Sequence, residues 1–155
     1  MGRSFPSDRR WEFPVPRPTL WDALTEVEGY PRWWPWLRRF DAPDGFETSS
    51  SWSCVVVPPL PYVVRFRVEL DEVRPLEGVR ASVRGDVKGW AELSLDDADD
   101  GTSRARLRSE LAPSNPVLRQ FAMLAPPMVR WGHDWVLDQG QRQFVERALT
   151  PATET

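Results

Sequence analysis

The sequence holds one histidine, His133, and one cysteine, Cys54, against 9 tryptophans and 2 tyrosines. His133 is the only side chain whose ordinary pKa lies near neutrality, so it is the first candidate for a general acid or base. At helical spacing it falls on the margin of an apolar face, beside Val129 and Val136. From there it can reach a cavity, or it can hydrogen-bond to a neighbouring loop. A lone histidine without a visible second group fits both readings. Tyr62 is the second candidate. It follows the turn Pro58-Pro59-Leu60-Pro61 and can present its hydroxyl at a pocket mouth, or pack as an ordinary strand residue. Asp134 reads as solvated helix surface.

Other chemistries fail on residue types. One histidine and one cysteine without ligand spacing cannot make a zinc site. No Gly-rich phosphate cradle occurs among the 9 glycines, and no nucleophile-elbow pattern supports a serine triad. No metal and no cofactor are expected. The tryptophans are the compositional anomaly. Trp33, Trp34 and Trp36 nearly adjoin, and an indole joins a large apolar body to one N–H donor. The group can form a lid over a pocket, or pack short helices onto a sheet.

These residues need elements to hold them. Asn115 to Leu149 reads as one long helical segment, with Val117, Leu118, Phe121, Leu124, Ala125, Met128, Gly132 and Trp135 on one broad face. Pro126 and Pro127 interrupt it, because proline lacks the N–H and excludes its predecessor from helical geometry. A break is expected near Ala125, between Met123 and Pro127. Arg10 to Val15 alternates as a strand. Pro18 opens a helix carrying Leu20, Trp21, Leu24 and Val27, which Gly29 ends, and Pro31 opens a second short helix with the tryptophan cluster.

Strands follow. Arg38 to Ala42 and Ser51 to Val57 are candidates. From Tyr62 to Val73 the alternation is clear, with Val64, Phe66, Val68 and Leu70 opposed to Arg65, Arg67, Glu69 and Asp71. Val79, Ala81 and Val83 repeat it, then Ala91, Leu93 and Leu95, then Ala105, Leu107, Ser109 and Leu111. Trp90 shares the outward parity of Lys88 and Glu92, unless a bulge at Gly89 reverses it. The outward arginines and carboxylates make a solvated sheet face. Aromatic residues are not interleaved with them as single-strand stacking needs, so no nucleic-acid partner is expected.

The net charge is −3 and 41% of residues are hydrophobic, which suits a globular chain with a real core. A single cysteine excludes an internal disulfide and fits a reducing compartment. No run approaches the length of a membrane span, and the N-terminus MGRSFPSDRR has no apolar signal region. The expectation is a cytoplasmic protein without stable membrane insertion. It has one domain over residues 6–149 and flexible termini at 1–5 and 150–155. The oligomeric state is not legible.

The order and the motifs together resemble the START-related superfamily, whose helix-grip fold is shared with birch-pollen allergen and with the polyketide cyclase/dehydrase and lipid-transport families. The segment RPTLWDALTEVEGYPRWWPWL is similar to that family's opening. PLPYVVRF, GDVKG and RWGHD resemble pieces of a bacterial branch, which often carries Asn before the histidine where this chain has Gly132. The resemblance implies an α+β fold, with a curved antiparallel sheet of about seven strands wrapped around a long C-terminal helix. It implies a hydrophobic or aromatic ligand (a lipid, polyketide or isoprenoid) held between sheet and helix. Expected to line that cavity are Trp33, Trp34, Trp36, Val64, Phe66, Val68, Val83, Leu93, Leu107, Phe121, Met128 and Trp135. On the helix, Phe121 and Met128 can equally be core. Two other readings stand beside a binding protein. One is a cyclase or dehydratase using His133, with Tyr62. The other is an interaction module with an exposed aromatic patch.

Overall fold

The alternating rows build one sheet. The computed structural model describes residues 4–149. Seven strands run in it: β1 (Phe5–Phe13), β2 (Leu37–Asp41), β3 (Ser51–Val56), β4 (Val64–Arg74), β5 (Gly78–Gly85), β6 (Val87–Asp97) and β7 (Ser103–Pro113). All pairs are antiparallel, in the order β1-β7-β6-β5-β4-β3-β2. β1 and β2 are neighbours along the chain and lie at opposite edges of the sheet. The segment between them crosses that distance with α1 (Arg17–Thr25), a 3-10 turn (Val27–Gly29) and α2 (Tyr30–Trp33). The C-terminal segment folds as α3 (Pro116–Leu124) and α4 (Pro126–Phe144), closed by a π-turn (Val145–Leu149). This is the helix-grip architecture expected.

Local sequence explains where the helices stop. Ala125 precedes Pro126 and adopts φ −137°, ψ 60°, so the break falls in the expected interval. Pro126 and Pro127 then occupy the first turn of α4, where a missing N–H costs nothing. Trp34 precedes Pro35 and leaves helical geometry in the same way, at φ −121°, ψ 89°. Asn115 caps α3: its Oδ1 accepts the Val117 N–H at 2.8 Å, and its amide donates to Asp86 at 3.0 Å. The start of α3 is thereby tied to the β5–β6 turn.

Gly29 works differently from the expected helix terminator. Its φ is −79°, an ordinary right-handed value, and α1 has already ended at Thr25. Glycine is needed there for room, since a Cβ would lie 2.5 Å from the Trp33 indole. Gly89 is no bulge: Val83 pairs with Gly89 and Ser82 with Trp90 in unbroken register. Trp90 accordingly faces outward, 42% exposed. Phe5, placed in a flexible terminus on sequence grounds, is instead a buried residue of β1. Residues 150–155 lie outside the described residues.

The main core lies between sheet and helices. Phe13, Leu20, Trp21, Tyr30, Trp33, Leu70, Leu95 and Phe144 are buried in it. Phe144 meets Phe13 edge-on at 5.8 Å and Trp33 at 5.5 Å, locking the end of α4 to β1 and α2. Outside, Arg9 of β1 reaches Asp134 at 2.8 Å and Asp138 at 2.5 Å on α4. Asp134 is therefore an ion-pair partner between strand and helix, where plain solvated surface was expected.

Candidate functional site

The inward rows of the sheet do not meet α4 everywhere. Two adjoining apolar chambers remain between them, of about 400 Å³ and about 310 Å³. Each lies in or near the size range of small-molecule sites. A larger concavity of about 980 Å³ lies on the outer sheet face among Arg38, Arg39, Arg65, Arg67 and Arg84. Those arginines are exposed, so that groove is open to water and lacks apolar enclosure.

The first chamber is walled by rings: Trp11, Phe13, Tyr30, Trp34, Trp36 and Trp52 among others, with Gly140 and Gln141 of α4. Its indoles are oriented by the fold. Trp34 Nε1 donates to the Gly140 carbonyl at 2.9 Å, and Trp36 Nε1 to Gln143 Oε1 at 2.9 Å. Trp34 and Trp36 stack at 5.6 Å. Gly140 permits this approach, since a Cβ there would lie 3.4 Å from the Trp36 ring. Tyr30 donates its hydroxyl to the Leu24 carbonyl at 2.5 Å, and burial pushes its pKa upward. Burial also pushes the Cys54 thiol up to about 12, so it is not a thiolate nucleophile at neutral pH.

The second chamber holds both candidates for chemistry. His133 and Tyr62 line it together with Val64, Val83, Ser109, Leu118 and Val129. Burial lowers the His133 pKa, opposed by the Asp134 carboxylate at 3.5 Å from Nδ1. The imidazole is therefore neutral at pH 7, with one donor and one acceptor nitrogen. Burial raises the Tyr62 pKa and keeps its hydroxyl protonated. Tyr62 and Leu60 pack over α4 at Gly132, where a Cβ would lie 2.6 Å from the Tyr62 oxygen. An Asn at this position, as in the resembling branch, requires the Pro58–Tyr62 loop to sit elsewhere.

Of the side chains expected at the cavity, Phe66, Val68 and Leu107 line both chambers, Leu93, Trp34 and Trp36 the first, and Val64 and Val83 the second. Trp33 lines neither. It is core, 6% exposed, packed on Tyr30 and Phe144. Met128 is 39% exposed and Trp135 is half-buried away from both chambers. The side chain of Phe121 lies outside what the structure describes. The cause is helix phase. α4 turns Val129, His133, Val136, Leu137, Gly140 and Phe144 inward, and leaves Met128 and Trp131 on the outside. In α3, Leu118 and Ala122 are buried, whereas Val117, Met123 and Leu124 are exposed. The apolar face expected for this segment is rotated from the true one, because the outward positions carry large apolar residues while the inward row includes His133, Gly140 and Gln141. Ser109 was legible as a serine between Leu107 and Leu111 in the inward row of β7. Phe40, Phe46 and Trp52, also in the first chamber, carried no signal of that kind.

No protein-family model matches the chain, and no curated protein matches it in sequence. Solved structures do match. The Zhui aromatase/cyclase of Streptomyces sp. R1128 is 11% identical with a TM-score of 0.71, over 99% of this chain and 100% of that one. A START superfamily protein from Mycobacterium smegmatis is 14% identical with a TM-score of 0.72, over 94% and 99%. Norcoclaurine synthase from Thalictrum flavum, in complex with dopamine and hydroxybenzaldehyde, is 10% identical with a TM-score of 0.64, over 94% and 89%. At such identities the likeness establishes the shared fold.

Proposed function

We propose that this helix-grip protein binds a small hydrophobic or aromatic molecule, such as a lipid, polyketide or isoprenoid, between its sheet and α4. The observation that carries the reading is the pair of adjoining apolar chambers between sheet and α4. A well-packed domain keeps few voids larger than a water molecule. Leaving this space unfilled forgoes dispersion contacts that a ligand would restore. Burial of the ligand stabilises the complex by roughly 25 cal/mol per Å² of apolar surface. One fold neighbour is a synthase holding dopamine and hydroxybenzaldehyde, and another is an aromatase/cyclase; both are consistent with an aromatic guest.

A second reading has its own observation. His133 and Tyr62 line the same chamber, so a neutral imidazole and a protonated phenol can face one guest. That pair suits proton transfer in a cyclisation or dehydration, with His133 as general base or acid. An interaction module built on the Trp33, Trp34 and Trp36 cluster is less favoured, since Trp33 is buried and Trp34 and Trp36 are half-buried against α4.

Titration with the dye ANS (8-anilinonaphthalene-1-sulfonate), with displacement by unlabelled apolar compounds, tests binding. Saturable binding to folded protein is expected, and its absence contradicts the reading. His133→Gln separates carrier from enzyme. A carrier keeps its affinity. An enzyme keeps binding and loses turnover by about 10² to 10⁴-fold.

A further inference from the structure

The two chambers differ in what polar chemistry they leave open. In the first, the fold itself satisfies most donors. Tyr30, Trp34 and Trp36 donate as described, and Trp52 Nε1 donates to the Gly45 carbonyl at 2.9 Å. What remains are Gln141 and the Trp11 N–H, both half-buried, and the weakly bonding Cys54 thiol. In the second chamber, Ser109 is 7% exposed and its hydroxyl makes no hydrogen bond to protein among the described residues. No side-chain polar atom described is both sealed from solvent and unpartnered. The Ser109 oxygen is therefore open to the chamber that this residue lines. A hydroxyl on an apolar chamber wall with no protein partner offers its hydrogen bond to an occupant. His133, on the opposite wall, adds a donor or an acceptor to the same space.

The chambers also adjoin. Phe66, Val68, Ala91, Leu107, Val136 and Leu137 line both of them. Ala91 contributes only a methyl group to this shared lining from the sheet, and Val136 and Leu137 contribute from α4.

Resting on the binding function proposed above, we infer that the natural ligand is a single elongated molecule of defined direction. Its fused-ring or otherwise aromatic body lies among Trp34, Trp36 and Trp52, and its hydroxyl or keto end reaches Ser109 and His133. Ring walls favour planar aromatic bodies by offset and edge-on contacts. The Ser109 hydroxyl, without a protein partner among the described residues, selects an oxygen at the far end. Ala91 sets the length that passes between the chambers.

Three probes and two positions test this by fluorescence displacement: naphthalene, trans-stilbene and trans-4-hydroxystilbene against wild type, Ser109→Ala and Ala91→Phe. Naphthalene fits one chamber and is expected to bind all three proteins within about threefold. Wild type is expected to prefer hydroxystilbene over stilbene by about 5- to 10-fold, the worth of one net hydrogen bond. Ser109→Ala is expected to abolish that preference without weakening stilbene. Ala91→Phe is expected to weaken both stilbenes at least tenfold. Should that variant fail to fold, Ala91→Leu replaces it with the same expectation in sign. A hydroxyl preference that is absent, or that survives Ser109→Ala, overturns the direction. Equal weakening of naphthalene and stilbene at position 91 overturns the single continuous site. Naphthalene failing to bind wild type overturns the binding function itself, and this inference with it.

Discussion

His133 shows how a residue's surroundings decide its behaviour. Burial depresses its pKa below the ordinary 6.5, so the folded state holds the neutral ring. Above pH 6.5 folded and unfolded chains are both neutral there, and the stability is fully present. As pH falls below 6.5 the unfolded chain takes the proton first, and stability is lost until the depressed folded value is passed. The expected outcome is a melting temperature that declines on acidification from pH 6.5 and flattens in this window in His133→Gln. Asp8 and Glu92 are held low by hydrogen bonds from Arg106 and Arg108. Their stabilisation is lost only at lower pH, below the ordinary 3.8 and 4.5, so the two effects separate in a pH series. A wild-type melting curve flat from pH 6.5 to 5 would show that the imidazole is not desolvated. Trp33 and Trp34 make a second contrast at this scale. Trp33 is core, and Trp33→Ala is expected to cost about 3 to 5 kcal/mol of stability in denaturant unfolding. Trp34→Ala removes a chamber wall and is expected to weaken ANS binding more than it weakens the fold. Equal effects on binding from the two variants would contradict the assignment of Trp33 to the core.

Elements differed in how much the sequence disclosed. Strand rows were legible because alternation fixes parity: Phe66, Val68, Val83, Leu93 and Leu107 all face inward, and Arg65, Arg67, Arg106 and Arg108 face outward or flank the sheet. The break at Ala125 was legible because proline acts on its immediate neighbour. The phase of α4 was not. A helix that borders a cavity need not put its largest apolar residues inward, and here Met128 and Trp131 point out while Gly140 and Gln141 point in. Part of the site followed that error, with Val136, Leu137 and Phe144 missed and Trp135 and Met128 misplaced. The prolines yield a test. Pro126→Ala with Pro127→Ala frees Ala125 to become helical, so that α3 can continue α4 in line. Circular dichroism at 222 nm is expected to gain helical signal. Because α3 carries Leu118 into the second chamber, apolar dye binding is expected to weaken. An unchanged spectrum would show that the Asn115 tether to Asp86, and not the prolines, holds the break.

At the scale of the molecule, a seven-stranded antiparallel sheet and α4 leave two adjoining apolar chambers between them. Rings and aliphatic side chains line that space, and arginine–carboxylate pairs such as Arg108 with Glu92 and Arg84 with Glu69 lie on the outer face. Surface pairs of this kind contribute little each, so the energetic weight of any complex falls on the interior. Among the described residues no helix is long and apolar enough to cross a membrane. On the function proposed here, a small apolar molecule binds inside, between sheet and α4. The most direct test of this binding uses the tryptophans as position markers, by following their indole N–H signals in a two-dimensional NMR titration with naphthalene. Trp34, Trp36 and Trp52 line the first chamber, while Trp90 and Trp131 are 42% and 51% exposed outside it. Saturable shifts of Trp34, Trp36 and Trp52 are expected, with Trp90 and Trp131 unmoved. Shifts confined to Trp90 and Trp131 would place the ligand on the surface and contradict it.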